Sequence, residues 1–88
     1  MRCGFVYILK SNKNGIYYIG SGYDPDERLD DYNQGRVKAT RNKGPWIQMF
    51  KQRFPTIAEA RSMEYKLKKL KRRDYIEKII KDGFIKKK

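Results

Sequence analysis

The chain has 88 residues, enough for one small domain, with 39% hydrophobic residues and a formal net charge of +12 from 22 Lys and Arg against 10 Asp and Glu. It contains no histidine and one cysteine, Cys3, which excludes an intramolecular disulfide, the usual Cys/His zinc sites and histidine-based acid–base chemistry. No apolar run has transmembrane length and no signal peptide is visible, so we expect a cytoplasmic protein outside the membrane.

The chain begins with a predicted β-hairpin. Cys3–Lys10 and Ile16–Gly20 are both rich in residues that favour strands. Ser11–Gly15 lies between them and ends in Asn-Gly, a strong hairpin signal. The two strands should therefore pair antiparallel.

A helix is predicted next. Asp24 can cap its first turn, and Pro25 suits the first helical position. The helix should run to about Gln34, because Gly35 is a typical helix stop. Arg36–Gly44 follows as a basic loop.

The second half of the chain predicts one strand and two helices. The strand is Trp46–Phe50, with a possible extension to Phe54. Thr56 and Glu59 have the spacing of a capping box for the next helix. Its expected apolar stripe is Ala60, Met63, Leu67 and Leu70. The last helix is predicted over about Asp74–Lys81, with a stop at Gly83.

The element order is therefore β-β-α-β-α-α. It predicts an α+β fold, with a small three-stranded antiparallel sheet flanked by helices. We expect residues 1–85 to form the domain and residues 86–88 to form a basic tail. Trp46 should anchor the core, whereas Tyr65 points away from the apolar stripe and should be exposed.

Two tyrosines of the hairpin are candidate site residues. A loop of two or four residues would place Tyr7 and Tyr18 on one face of the sheet, and a loop of five would separate them. Their hydroxyls could then serve one site. The alternative is that both are half-buried aromatics of an ordinary sheet.

The first predicted helix carries two further candidate site residues. Arg28 and Tyr32 are four residues apart and share a face, close to the side marked by Leu29. An arginine there could bind a phosphate with two hydrogen bonds. Alternatively it lies over apolar surface with its head in water, or pairs with Asp24 or Asp31.

Glu64 is an acid on the inward side of an otherwise basic helix. A carboxylate in that position needs a partner. One candidate is a hard cation such as Mg²⁺, held by one carboxylate, several waters and substrate phosphates. The other is an i, i+4 ion pair with Lys68.

The spacing of these residues resembles the GIY-YIG nuclease superfamily over nearly the whole chain. Phe5-Val6-Tyr7 corresponds to the first motif, and Tyr18-Ile19-Gly20 is the second motif in its literal form. Ten residues separate Tyr7 from Tyr18, as is usual in the family, and Arg28 follows ten positions later. Tyr32 and Glu64 correspond to the family's His/Tyr and metal-binding glutamate.

Within that superfamily, the chain looks like the short single-domain branch, which is similar to the N-terminal nuclease module of the excision-repair incision subunit. Pro45-Trp46 and the Glu-Ala pair that begins at Glu59 carry this likeness. Two features depart from the family. Ser21 stands where many members have lysine, and no asparagine follows Glu64.

The resemblance implies a metal-dependent endonuclease that hydrolyses phosphodiester bonds, with DNA repair or processing as the expected role. It implies Tyr7 as the base and Tyr18 as a residue that positions water or phosphate. It implies that Arg28 stabilises charge, that Tyr32 belongs to the site, and that Glu64 binds Mg²⁺ or Mn²⁺. We expect these side chains to converge on one concave face, within roughly one phosphodiester group of each other.

Two further functions remain open from the sequence. One is a non-catalytic nucleic-acid-binding domain with the same fold, and the other is a basic structural protein of a ribonucleoprotein. The charge favours nucleic acid as the partner over an anionic membrane surface or simple solubility. We expect a monomer that a partner protein could target to branched, damaged or single-stranded DNA, or to RNA.

Binding to a DNA duplex should weaken steeply with salt. If the basic stretches 36–43 and 66–73 neutralise about five phosphates, the slope of log affinity against log salt concentration should be about −4 to −5. Fluorescence anisotropy titrations over a series of salt concentrations measure this slope. A flat response would contradict nucleic acid as the partner.

Overall fold

A computed structural model describes residues 3–37, 44–70 and 72–85. The element order confirms the expected β-β-α-β-α-α arrangement and α+β class. The strands are β1 (Gly4–Ser11), β2 (Tyr17–Gly22) and β3 (Trp46–Phe54), and the helices are α1 (Pro25–Asn33), α2 (Ile57–Leu70) and α3 (Arg73–Asp82). No helix in these described ranges is long and apolar enough to cross a membrane.

The three strands form one antiparallel sheet in the order β2-β1-β3. The pairing of β1 with β2 continues one residue beyond the start of β2, since the Ser11 amide donates to the Ile16 carbonyl at 2.8 Å, and this leaves a turn of four residues, 12–15. Within the turn the Gly15 amide donates to the Ser11 carbonyl at 2.9 Å. Gly15 adopts a positive φ of 73°, which the turn requires and glycine tolerates. In the resulting register Tyr7 lies opposite Gly20. The even-numbered loop therefore confirms that Tyr7 and Tyr18 share one face.

The central strand β1 is buried on both sides and divides the interior into two cores. Val6 and Ile8 face the larger core, which α2 and α3 cover with Ala60, Leu67, Ile76 and Ile79. Tyr7 and Leu9 face the smaller core, which α1 covers with Tyr32 and Leu29. Alternate residues of one strand thus anchor helices on opposite faces of the sheet.

The predicted helix boundaries are confirmed to within about one turn, and their caps are present. The Asp24 carboxylate accepts a hydrogen bond from the Glu27 amide, and the Thr56 hydroxyl accepts one from the Glu59 amide. Gly83 ends α3 in the left-handed conformation. The basic tail and most of the basic loop, residues 38–43, lie outside the described residues, so the proposed domain limits stay predictions.

One core assignment is wrong. Leu70 was expected in the apolar stripe of α2, but it is 49% exposed. It is the last residue of that helix, and the buried part of the stripe ends at Leu67, one turn earlier. Tyr65 is exposed, as expected.

Trp46 is buried, as expected, where α1 meets β3. Its amide donates to the Asn33 side-chain oxygen at 2.6 Å, and its carbonyl accepts from the Asn33 amide group at 3.2 Å. Its ring lies edge-on to Tyr18, with the ring centroids 6.1 Å apart. The tryptophan therefore connects the end of α1 to the sheet.

Replacing Trp46 with alanine should lower the free energy of unfolding by about 3–5 kcal/mol, because a large buried aromatic leaves a cavity. Urea denaturation measures the loss. The matched control is Ile47→Ala, at the exposed neighbouring position of the same strand. Equal stabilities of the two variants would contradict a core role for Trp46.

Candidate active site

Three tyrosines from three different elements meet on the α1 face of the sheet. Tyr7 of β1 is 1% exposed, and its hydroxyl lies 3.0 Å from the hydroxyl of Tyr32 on α1. The ring of Tyr18 on β2 packs edge-on against Tyr32, with the ring centroids 5.2 Å apart. Hydroxyls that are far apart in sequence are thereby brought into one cluster.

Gly20 makes room for this cluster. A Cβ atom at Gly20 would lie 2.6 Å from the ring carbons and the hydroxyl of Tyr7. Such a distance is far below van der Waals contact, so a larger residue would displace the Tyr7 ring. Sequence reasoning did not assign Gly20 a role. The available signal was the place of Gly20 in the literal second motif, Tyr18-Ile19-Gly20.

Arg28, which lies on α1, belongs to the same cluster as the three tyrosines. Its guanidinium carbon lies 5.2 Å from the centre of the Tyr32 ring. Hydrogen bonding to the Tyr7 hydroxyl, and more weakly to that of Tyr32, raises the pKa of Arg28 above its usual value, although burial opposes this shift. The guanidinium also lies 3.6 Å from Asp31, so the ion pair considered from the sequence is present together with the tyrosine contacts.

The cluster also changes the acidity of two tyrosines. Burial is the largest cause that raises the pKa of Tyr32 to about 12, and the hydrogen bond with Tyr7 adds to it. Burial and the charge of Tyr32 raise the pKa of Tyr18, and the Lys68 ammonium opposes that rise. Both hydroxyls therefore remain protonated at neutral pH and can donate hydrogen bonds.

The Glu64 side chain, on α2, contacts the edge strand β2 of the sheet. One carboxylate oxygen accepts a hydrogen bond from the Ser21 hydroxyl, and the other lies 2.6 Å from the Lys68 ammonium. The Lys68 pair is the alternative that the sequence left open, and it is present. The bond to Ser21 is an additional restraint that orients the carboxylate.

The candidate residues lie on two faces of the sheet that meet at the edge strand β2. Ser21 pairs with Val6 and faces α2, whereas Tyr18 faces α1, because neighbouring residues of a strand point in opposite directions. Lys68 connects the two sides, since its ammonium lies 5.4 Å from the centre of the Tyr18 ring. The candidate side chains therefore do not converge on one concave face, as we expected. The three tyrosines and Arg28 lie on one side of the edge strand β2, and Glu64 lies on the other side.

A divalent cation at this edge would depend on one carboxylate. In the described part of the chain, no group of three or more His, Cys, Asp or Glu side chains could hold a metal ion. Ser21 and Lys68 occupy two of roughly four acceptor positions of the Glu64 carboxylate. The rest fit a hard cation that takes its other ligands from water and phosphate.

Comparisons with known proteins agree with this fold. A family model described as the GIY-YIG catalytic domain matches residues 3–79. A UPF0213 protein of Halalkalibacterium halodurans is 39% identical over 70 residues, which are 78% of this chain and 73% of that protein. One from Staphylococcus saprophyticus is 31% identical over 80 residues, 90% of this chain and 95% of its own length. The solution NMR structure of a UPF0213 protein from Bacillus halodurans matches with a TM-score of 0.57 and 33% identity, covering 92% of this chain and 86% of that one.

The tyrosine cluster should make stability depend on alkaline pH. Unfolded Tyr32 loses its proton near pH 10, whereas the folded residue keeps it to about 12, so its contribution is complete below about pH 10 and is lost as the pH rises towards 12. Urea melts of the wild type and Tyr32→Phe between about pH 9 and 12 measure this effect. The wild type should lose up to about 2–3 kcal/mol more than the variant over that range. Parallel pH profiles would contradict the assignment.

Proposed function

The chain belongs to the GIY-YIG family of nuclease-type catalytic domains, and from this we propose that it is a metal-dependent endonuclease that cuts nucleic acid, with DNA as the first substrate to test. The observation that carries the proposal is the cluster of Arg28, Tyr7 and Tyr32 on one side of β2, together with the oriented Glu64 carboxylate on the other side. Lys68 connects the two, because it contacts both Glu64 and the Tyr18 ring. The +12 net charge of the chain supports a polyanionic substrate.

Arg28 is proposed to bind the scissile phosphate. Its side chain is partly exposed, and its partner Asp31 lies at 3.6 Å, a distance at which the ion pair is weak enough to yield to a phosphate. The contact with Tyr32 holds the guanidinium at the edge before substrate arrives. One well-placed donor of this kind typically contributes about 3–4 kcal/mol to transition-state stabilisation.

Tyr7 is proposed as the base that takes the proton of the attacking water, and Tyr18 as the residue that positions the water or the phosphate. A negative charge on the Tyr7 oxygen would be stabilised by the adjacent Arg28 and by a hydrogen bond from Tyr32. Tyr32 suits that role because its raised pKa of about 12 keeps its own proton in place.

Glu64 is proposed to bind Mg²⁺ or Mn²⁺, with Ser21 and Lys68 holding its carboxylate in position. The cation would supply positive charge to the phosphate and to the leaving 3′-oxygen. Lys68 adds a second positive charge beside Tyr18. The pair of cations would offset the repulsion between Glu64 and the substrate.

A second candidate function is binding of nucleic acid without cleavage. The observation that favours it is the pairing of both Glu64 oxygens, one with Ser21 and one with Lys68, since a carboxylate in an ion pair of this kind also serves a purely structural purpose. The two functions differ in whether divalent ions produce strand cleavage.

Purified protein with Mg²⁺ or Mn²⁺ should nick supercoiled plasmid DNA, and Glu64→Gln should abolish nicking and divalent-ion binding while leaving the fold intact. Tyr7→Phe should also abolish it, because the variant keeps the ring and removes only the hydroxyl. Gel electrophoresis measures nicking, calorimetry measures ion binding, and circular dichroism checks the fold. The control is Glu59→Gln, at an exposed position of the same helix. Wild-type cleavage rates in both Glu64→Gln and Tyr7→Phe would contradict the catalytic assignment, and nucleic-acid binding without these catalytic roles would then remain as the function.

A further inference from the structure

The solvent-facing side of α2 next to Glu64 carries one aromatic ring among cations. Arg61 lies three residues before Glu64 and Lys68 four residues after it, so both are its neighbours on the helix surface. Tyr65 follows Glu64 directly and lies between Arg61 and Lys69, at four residues from each. All four side chains that flank Glu64 here are exposed.

Tyr65 differs from the other tyrosines near the site. It is 67% exposed, whereas Tyr7 and Tyr32 are buried and Tyr18 packs on Tyr32 and Trp46. Within residues 3–37, 44–70 and 72–85, no hydrogen bond, ring contact or cation–π contact involves the side chain of Tyr65. The ring therefore has exposed surface that a ligand can contact, and the helix fixes the position of its Cα atom.

The charges around Tyr65 indicate that the ligand is a polyanion. Arg61, Lys66, Lys68 and Lys69 all lie within four residues of Tyr65 on the same helix and are exposed, and this concentration of positive charge attracts a phosphate backbone. The surface is continuous with the proposed active site, because Lys68 contacts Glu64 directly. A strand whose phosphate lies at Glu64 would bring its neighbouring nucleotides over Arg61 and Tyr65.

We propose that Arg61, Tyr65, Lys68 and Lys69 form a strand-binding surface on which Tyr65 stacks against an unpaired base next to the phosphate to be cut. The placement of that base relative to the cut rests on the proposed nuclease function. In a continuous duplex the faces of each base are covered by its neighbours, so the ring has no base to stack on, whereas a loop, bulge, flap or single strand offers one. The substrate class is therefore nucleic acid that carries an unpaired nucleotide at the cleavage position.

Binding without divalent ions tests the surface separately from catalysis. The probes are a continuous duplex, the same duplex with one unpaired 2-aminopurine, and a single strand that contains 2-aminopurine, each prepared as DNA and as RNA. Fluorescence anisotropy gives the affinity, and the fluorescence of 2-aminopurine falls when an aromatic ring stacks on it. The variants are Tyr65→Leu, which removes the flat ring, and Tyr65→Phe, which keeps it.

The wild type should bind both unpaired probes more tightly than the duplex and quench their fluorescence. Tyr65→Leu should weaken binding of those probes by about fivefold to 150-fold, the range expected for one base–aromatic stack, and should remove the quenching. Its affinity for the continuous duplex should stay at the wild-type value. Tyr65→Phe should behave as the wild type. The matched control is Phe84→Leu, because Phe84 is 52% exposed but lies after α3.

Three results would overturn the proposal: unchanged binding of the unpaired probes by Tyr65→Leu, an equal loss on all probes, or a similar loss in Phe84→Leu. The sugar type that binds more tightly identifies the substrate as DNA or RNA. A wild type that stacks the unpaired base but does not cleave with Mg²⁺ would refute the nuclease function and retain the surface. Cleavage by a protein whose binding does not depend on Tyr65 would support the nuclease function and refute the proposed surface.

Discussion

The contact between the Tyr7 ring and Gly20 is the constraint on which the site depends. It exists only because β1 and β2 pair in a register that places these two residues opposite each other. Any side chain at Gly20 would occupy the space of the Tyr7 ring and hydroxyl. Since Tyr7 also meets Tyr32 and Arg28, the same contact fixes where α1 must lie for the arginine to reach the edge of the sheet.

Because β1 is buried on both sides, its alternating side chains support two different helices. The odd-numbered positions hold α1 through the tyrosine cluster, and the even-numbered positions hold α2 through the larger core. Residues from the two helices can then meet only by reaching around β2, which is the outer strand on that side. Ser21 and Lys68 make that connection, one from the strand and one from the helix.

Charged side chains have different consequences on the exposed surface and at the edge strand β2. Most of the Lys and Arg side chains that the structure describes are exposed. An ion pair at such a position typically contributes less than about 1 kcal/mol to stability, and its charges mainly set the field that a ligand meets. Glu64 is an exception because its side chain is mostly covered and both of its oxygens are held. The burial of Tyr32 beside Arg28, and the partial burial of Tyr18, likewise place polar hydroxyls where their hydrogen bonds are strengthened by a low dielectric.

The order of the elements, the caps at Asp24 and Thr56 and the hairpin turn could be predicted from the sequence, because these follow from local conformational preferences and from spacing along the chain. The sequence also left Tyr7 and Tyr18 dependent on loop length, which the backbone hydrogen bonds of the turn resolved. Three features were settled only by how the elements pack: Glu64 lies on the opposite side of the sheet from the tyrosine cluster and accepts a hydrogen bond from Ser21, Gly20 accommodates Tyr7, and Leu70 is exposed. Those outcomes depend on which face each helix covers and on where the sheet ends, and no periodicity within a single element contains that information.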